Sequence, residues 1–174
     1  EQLASLGISS GDAVGIVTPN GPEAATVFLS IASFATAAPL NPLYTKDEFK
    51  FYLEDLNAKI LIVTEDGNTN AIAAASELGI KVLAVRLKKL PGDFSLTLDG
   101  EKLKQSPAKK NLCNDISLVL HTSGTTSRPK IVPLTSDNIS VSARNIARTL
   151  KLTNQDLYLN IMPLFHIHGL IAGV

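Results

Sequence analysis

An α/β fold built on a mostly parallel sheet with helical crossovers is predicted by three features of the 174-residue sequence. Apolar runs and helix-periodic segments alternate roughly every 22 residues, the rhythm of strand–helix–strand units. The runs Ala13-Val-Gly-Ile-Val17 and Ile60-Leu-Ile-Val63 carry no charge, as strands covered on both faces do. Turn formers (Pro19-Asn20-Gly21-Pro22, Asn41-Pro42, Gly79) punctuate the alternation. With 45% hydrophobic and 18% charged residues the chain is globular and not disordered. Sixteen Lys+Arg balance sixteen Asp+Glu, so the basic excess of a nucleic-acid surface is missing and no nucleic-acid partner is expected.

The elements follow in order. Leu3 and Leu6 belong to a short helix that Gly7 ends. A strand covers 12–18, and Pro22 suits the first position of the next helix. Ala24, Val27, Phe28, Ile31 and Ala35 recur on one side of it. A short strand at 37–40 precedes Thr45, which reads as an N-cap with Glu48 as its capping-box partner. Phe49, Tyr52, Leu53 and Leu56 form the buried stripe of that helix. A strand at 59–64, a helix at 70–78 and a strand at 80–85 complete the regular part. Residues 86–114 break the rhythm with Pro91-Gly92, Asp99-Gly100 and Pro107. They read as an irregular excursion or linker loop holding one short strand at 94–98, with Lys102, Lys104, Lys109 and Lys110 as a solvated face. Cys113 reads as a small buried hydrophobe, and a lone cysteine permits no internal disulfide.

Residues 116–120 form a further apolar strand, and 131–134 a second arm. Between them runs Thr122-Ser-Gly-Thr-Thr-Ser-Arg-Pro-Lys130. Gly124 allows close backbone approach, successive N–H groups can form an anion-binding nest, and five hydroxyls add donors. Lys130 supplies a point charge and Arg128 a planar fork matched to phosphate. This loop suits a polyanion. It is not a Walker A loop, because Pro129 precedes the lysine and Ile131 follows it. Thr135 or Ser136 then caps a helix with Ile139, Ala143, Ile146 and Leu150 on one face and Arg144 and Arg148 in solvent. A strand is expected at 157–162, ended by Pro163.

The segment Thr122 to Lys130 resembles the phosphate-binding motif of the adenylate-forming (AMP-binding) enzymes, a superfamily that includes the acyl-CoA synthetases. Met162-Pro-Leu-Phe-His-Ile-His-Gly-Leu170 resembles its next motif at the fitting separation, and Asn41-Pro-Leu-Tyr-Thr-Lys-Asp-Glu48 an earlier segment. Ser127-Arg128 and the Phe-His-Ile-His-Gly run look most like oxalate–CoA ligases, with malonyl-CoA synthetases second. The resemblance implies that residues 1–174 are a partial N-terminal adenylation domain, truncated at both ends. It implies a carboxylate–CoA ligase that forms an acyl-adenylate and then an acyl-CoA, with ATP, Mg²⁺ and CoA. The acid is expected to be a small dicarboxylate such as oxalate. Thr122, Ser123, Gly124, Thr125, Thr126, Ser127, Arg128 and Lys130 would hold the ATP phosphates. His166 would orient the acyl carboxylate, with Lys130 and His166 as the catalytic pair, and His168 would line the acid pocket. One departure is Ile131, where the family usually has glycine; a β-branched residue would stiffen the far side of the loop. The fragment alone is expected to have little ligase activity.

Two alternatives are a non-catalytic nucleotide-binding fragment and a zinc site made by His121, His166 and His168. The second assumes that His166 and His168 are locally extended, so that both rings point one way. The longest apolar stretch, 24–40, is rich in Ala, Ser and Thr and falls short of the roughly 20 residues of a membrane span, so no span is expected. A cytoplasmic location is expected, with the peroxisome as the alternative.

Overall fold

The computed structural model describes residues 1–122 and 129–174. Six strands, β1 (Ala13–Val17), β2 (Thr36–Pro39), β3 (Ile60–Thr64), β4 (Lys81–Leu87), β5 (Phe94–Leu98) and β6 (Glu101–Lys102), come from the first two-thirds of the chain. Two more, β7 (Ile116–His121) and β8 (Ile131–Thr135), flank the hydroxyl-rich loop. They form one eight-stranded sheet in the order β6-β5-β4-β3-β1-β2-β7-β8. The central pairings, β3–β4, β1–β3, β1–β2 and β2–β7, are parallel. The outer pairings, β4–β5, β5–β6 and β7–β8, are antiparallel.

Helices α1 (Pro22–Ala32), α2 (Lys46–Asp55) and α3 (Thr69–Glu77) make the crossovers. Strand alternation divides the apolar residues between the two faces. Val14, Ile16, Ile60, Ile62 and Leu118 pack with Val27, Phe28 and Ile31 of α1. Ala13, Val17, Leu61, Val63 and Val119 pack on the other face with Phe49 and Leu53 of α2 and the alanines of α3. Gly15 lets α2 come close: a Cβ there would stand 3.1 Å from Leu53 Cδ2 and 3.2 Å from Leu61 Cδ1. The helix starts obey their local chemistry. Pro22 opens α1. Thr45 and Glu48 close a reciprocal capping box on α2. Asn68 caps α3 through Ala71 N–H.

Three expectations need correction. The 86–114 excursion holds the expected strand at 94–98, which forms as β5, but it is more regular than that. Strand β4 runs on to Leu87, and β5 and β6 extend the sheet edge as an antiparallel meander. The side chain of Gln2 ties the amino-terminal turn to this edge, exchanging hydrogen bonds of 3.2 Å with Leu96 N–H and C=O. Cys113 is exposed, because it sits in a turn that Asp115 closes on Leu112 N–H, ahead of β7. Residues 157–162 form no strand. Leu157, Leu159 and Ile161 are 101%, 81% and 78% exposed, and among the described residues no neighbouring strand pairs with them; apolar character without a ladder partner does not make a strand. Helix α4 (Ser136–Leu150) forms as expected and is capped by Thr135; none of its residues is buried. Ala143 is exposed and Leu150 is 62% exposed.

Candidate active site

The carboxyl ends of the parallel strands β1, β2 and β7 lie along one edge of the sheet, the edge at which ligands of open α/β folds sit. Strand β7 ends there in His121, and the loop leaves at Thr122. The return arm β8 starts at Ile131, in register with His121. The loop neck is closed by two hydrogen bonds. Thr122 N–H donates to Lys130 C=O at 3.0 Å. Lys130 N–H donates to Thr122 Oγ1 at 3.3 Å. Both residues are exposed, so the lysine side chain has free access to solvent. Ser123, Gly124, Thr125, Thr126, Ser127 and Arg128 lie outside the described residues. Ile131 occupies an extended ladder position that a β-branched residue suits.

The second segment reaches the same edge from the far end of the chain. Leu164 and Phe165 sit against Thr18, Pro39 and Leu40, leaving a crevice of only 10 Å³. Asn20, in the turn after β1, grips this segment from both sides of its amide: Leu164 N–H donates to Oδ1 at 2.9 Å, and Nδ2 donates to Met162 C=O at 3.4 Å. Asn160 holds the next layer, donating from Nδ2 to Gly169 C=O and accepting from Met162 N–H. Gly169 is required by contact, since a Cβ there would collide with the Pro163 carbonyl. Helix α5 (Ile167–Ile171) follows, with His166 in extended backbone as its N-cap. Both histidines of the run are exposed.

His166 is extended and His168 is helical, so the two do not share the common extended conformation that a same-side arrangement needs. Nor do the three histidines converge. His121 is turned to α2, with Nε2 3.1 Å from Asp55 Oδ2. Among the described residues no group of three His, Cys, Asp or Glu could hold a metal ion, which removes the basis of the zinc alternative.

Asn20 and Asp55 are the site-edge residues that sequence reasoning missed. Asn20 read only as part of a turn, and Asp55 was assigned no role. Their contacts span 142 and 66 positions, beyond the reach of any local pattern. A cavity of 540 Å³ lies elsewhere, between the amino-terminal turn, α1 and β5. Among the described residues no helix is long and apolar enough to cross a membrane.

Comparison with known proteins agrees with this fold. An oxalate–CoA ligase of Arabidopsis thaliana is 43% identical over 175 residues, covering 99% of this chain and 34% of the relative. One of Saccharomyces cerevisiae is 38% identical over 185 residues, covering 92% of this chain and 34% of the relative. The chain therefore spans about a third of the length of the curated relatives it matches. Among solved structures, ATP-bound MatB from Rhodopseudomonas palustris superposes with a TM-score of 0.79 at 25% identity, over 98% of this chain and 34% of that one. The model of the AMP-binding enzyme family matches residues 1–174, and the chain belongs to that family.

Proposed function

We propose that these residues are the N-terminal part of the adenylation domain of an ATP-dependent carboxylate–CoA ligase. The observation that carries the reading is the loop neck. A mobile cation, Lys130, and a hydroxyl donor, Thr122, are locked side by side at the carboxyl edge of the sheet, and the His166 segment is seated on the same edge. Phosphoryl chemistry asks a protein for charge neutralisation and positioning more than for covalent help. An edge with amide donors, hydroxyls and a lysine meets that demand. The carboxylate oxygen attacks the α-phosphorus of ATP, and the bond to pyrophosphate breaks. The CoA thiol then attacks the acyl carbonyl and expels AMP. Mg²⁺ enters with the nucleotide as part of the substrate. Lys130 and the loop residues 122–128 bind the phosphates, His166 orients the acyl carboxylate, and His168 lines the acid pocket. The acid proposed is a small dicarboxylate, oxalate first, in line with the names of the two relatives.

The test is isotope exchange between pyrophosphate and ATP in the full-length protein with a panel of small mono- and dicarboxylates. Oxalate is expected to support the fastest exchange. Lys130→Ala should slow it by about a hundredfold, the effect of removing one preorganised donor worth roughly 3 kcal/mol. Exchange with none of the acids, or an unchanged rate in Lys130→Ala, overturns the assignment.

A further inference from the structure

The tip of β7 carries the loop neck on little backbone support. Its described ladder with β2 is a single residue pair, Ala37 with Leu118. Among the described residues, the strand beyond Leu118 pairs only with β8, which is the edge of the sheet. A side-chain contact crosses from α2 at this point. His121, the last residue of β7, has a side chain only 5% exposed, and its Nε2 stands 3.1 Å from Oδ2 of Asp55, the last residue of α2. The ring is also held edge-on by Tyr52, with centroids 4.6 Å apart at 68°. Tyr52 in turn stacks on Tyr44 at 4.7 Å, and Tyr44 meets Phe49 edge-on at 5.7 Å. The chain of contacts thus runs from the buried heart of α2 to the residue that immediately precedes Thr122. A carboxylate accepting from an imidazole N–H fixes both the ring orientation and, in the neutral ring, the position of its proton.

We propose that Asp55 and His121 form a brace that positions the Thr122–Lys130 neck for the nucleotide. Both act as positioning residues, through the neck and not on the substrate. The inference rests on the ligase reading given above. With Asp55 bound, His121 cannot swing, and the strand tip that carries Thr122 keeps its height above the sheet. Without that contact the tip keeps only its pairing with β8 and the ring contact with Tyr52, so Thr122 and Lys130 lose their fixed position. Small misplacements of binding groups carry large kinetic penalties.

The test is pyrophosphate–ATP exchange in the full-length enzyme, with ATP and the acid varied separately. Asp55→Ala and His121→Ala are each expected to raise the KM for ATP by about tenfold and to leave the KM for the acid unchanged. The double variant should be no worse than either single one, since both remove the same contact. Two replacements of His121 separate bracing from packing. His121→Gln keeps an N–H donor for Asp55 and should restore most of the ATP affinity. His121→Phe keeps the contact with Tyr52 but not the donor, and should not. Additive losses in the double variant, recovery by Phe in place of Gln, or a normal ATP KM in Asp55→Ala with exchange intact each overturn the brace alone. Absence of exchange in the unaltered enzyme with every acid removes the ligase reading, and the brace with it.

Discussion

Helices α2 and α4 both present an apolar face, and both open on a capping box, Thr45 with Glu48 and Thr135 with Asn138. Only α2 buries side chains: Phe49 and Leu53 are wholly out of solvent, whereas α4 buries none. The difference lies in what faces each helix. Helix α2 lies on a sheet whose strands come from the same stretch of chain, and Gly15 opens a notch for Leu53. Among the described residues, α4 lies chiefly beside β7, β8 and the short α5, and of its face Ile139 packs against the larger core. Amphipathic spacing states which side of a helix seeks cover. It does not state whether cover is at hand.

The largest expected effect tests this contrast directly. Phe49→Ala should cost about 3–5 kcal/mol of unfolding free energy, because transfer and cavity terms add at a fully buried site. Ile146→Ala, on the half-covered face of α4, should cost less than about 1 kcal/mol in the 174-residue chain. Urea denaturation of the two variants measures both. Equal losses would mean that α4 is as deeply packed as α2.

A smaller effect concerns how the last part of the chain is attached to the first. Asn20→Ala removes one acceptor and one donor that hold Met162 and Leu164 against the end of β1. Each such exposed bond is worth about 1 kcal/mol at most, so the melting temperature should hardly move. Amide exchange at Leu164 should accelerate selectively, while amides of β1 and β3 keep their protection. Unchanged protection at Leu164 would show that Leu164 and Phe165 hold the segment by apolar contact alone.

The same contrast divides what could be read from the sequence. Strands β1 to β4, the buried stripes of α1 and α2, Pro22 at a helix start and the Thr45–Glu48 box were legible because each follows from neighbours within one turn or one strand. The 157–162 strand failed for the converse reason. Its apolar residues fit a strand, but pairing is a property of two segments, and no described segment pairs with it. Cys113 was misread because its exposure is set by the turn that Asp115 closes on Leu112 N–H ahead of β7, and not by its nearness to the strand. At the candidate site, Thr122, Lys130 and His166 stood out by motif. Asn20 and Asp55 did not, because a turn asparagine and a helix-end aspartate look alike wherever they point. Their roles rest on contacts across 142 and 66 residues.

The smallest expected effect separates the two capping boxes by their chemistry. In α2 the N3 residue is Glu48, which titrates; in α4 it is Asn138, which does not. The Glu48 carboxylate accepts from Thr45 N–H and from the Thr45 hydroxyl, both at 2.8 Å. These bonds, the backbone one first, hold its pKa below the ordinary glutamate value. A group whose pKa is lower in the folded chain than in the unfolded one binds fewer protons when folded. Its contribution is complete above the unfolded value of about 4.3 and fades as the pH falls through the lower folded value. Glu48 is exposed, so the contribution is small. Glu77 and Asp156 titrate in the same direction, the first held down by Lys46 and Lys50, the second by Thr153 N–H. The informative quantity is therefore the difference between the parent chain and Glu48→Gln, whose amide oxygen can still accept but does not ionise. Between about pH 6 and about pH 3 the parent should lose stability relative to Glu48→Gln, with lower amide protection at Thr45, whose N–H the carboxylate accepts, and unchanged protection at Thr135. A stability difference that stays flat across that window would mean that the Thr45 contacts favour the charged and neutral carboxyl equally.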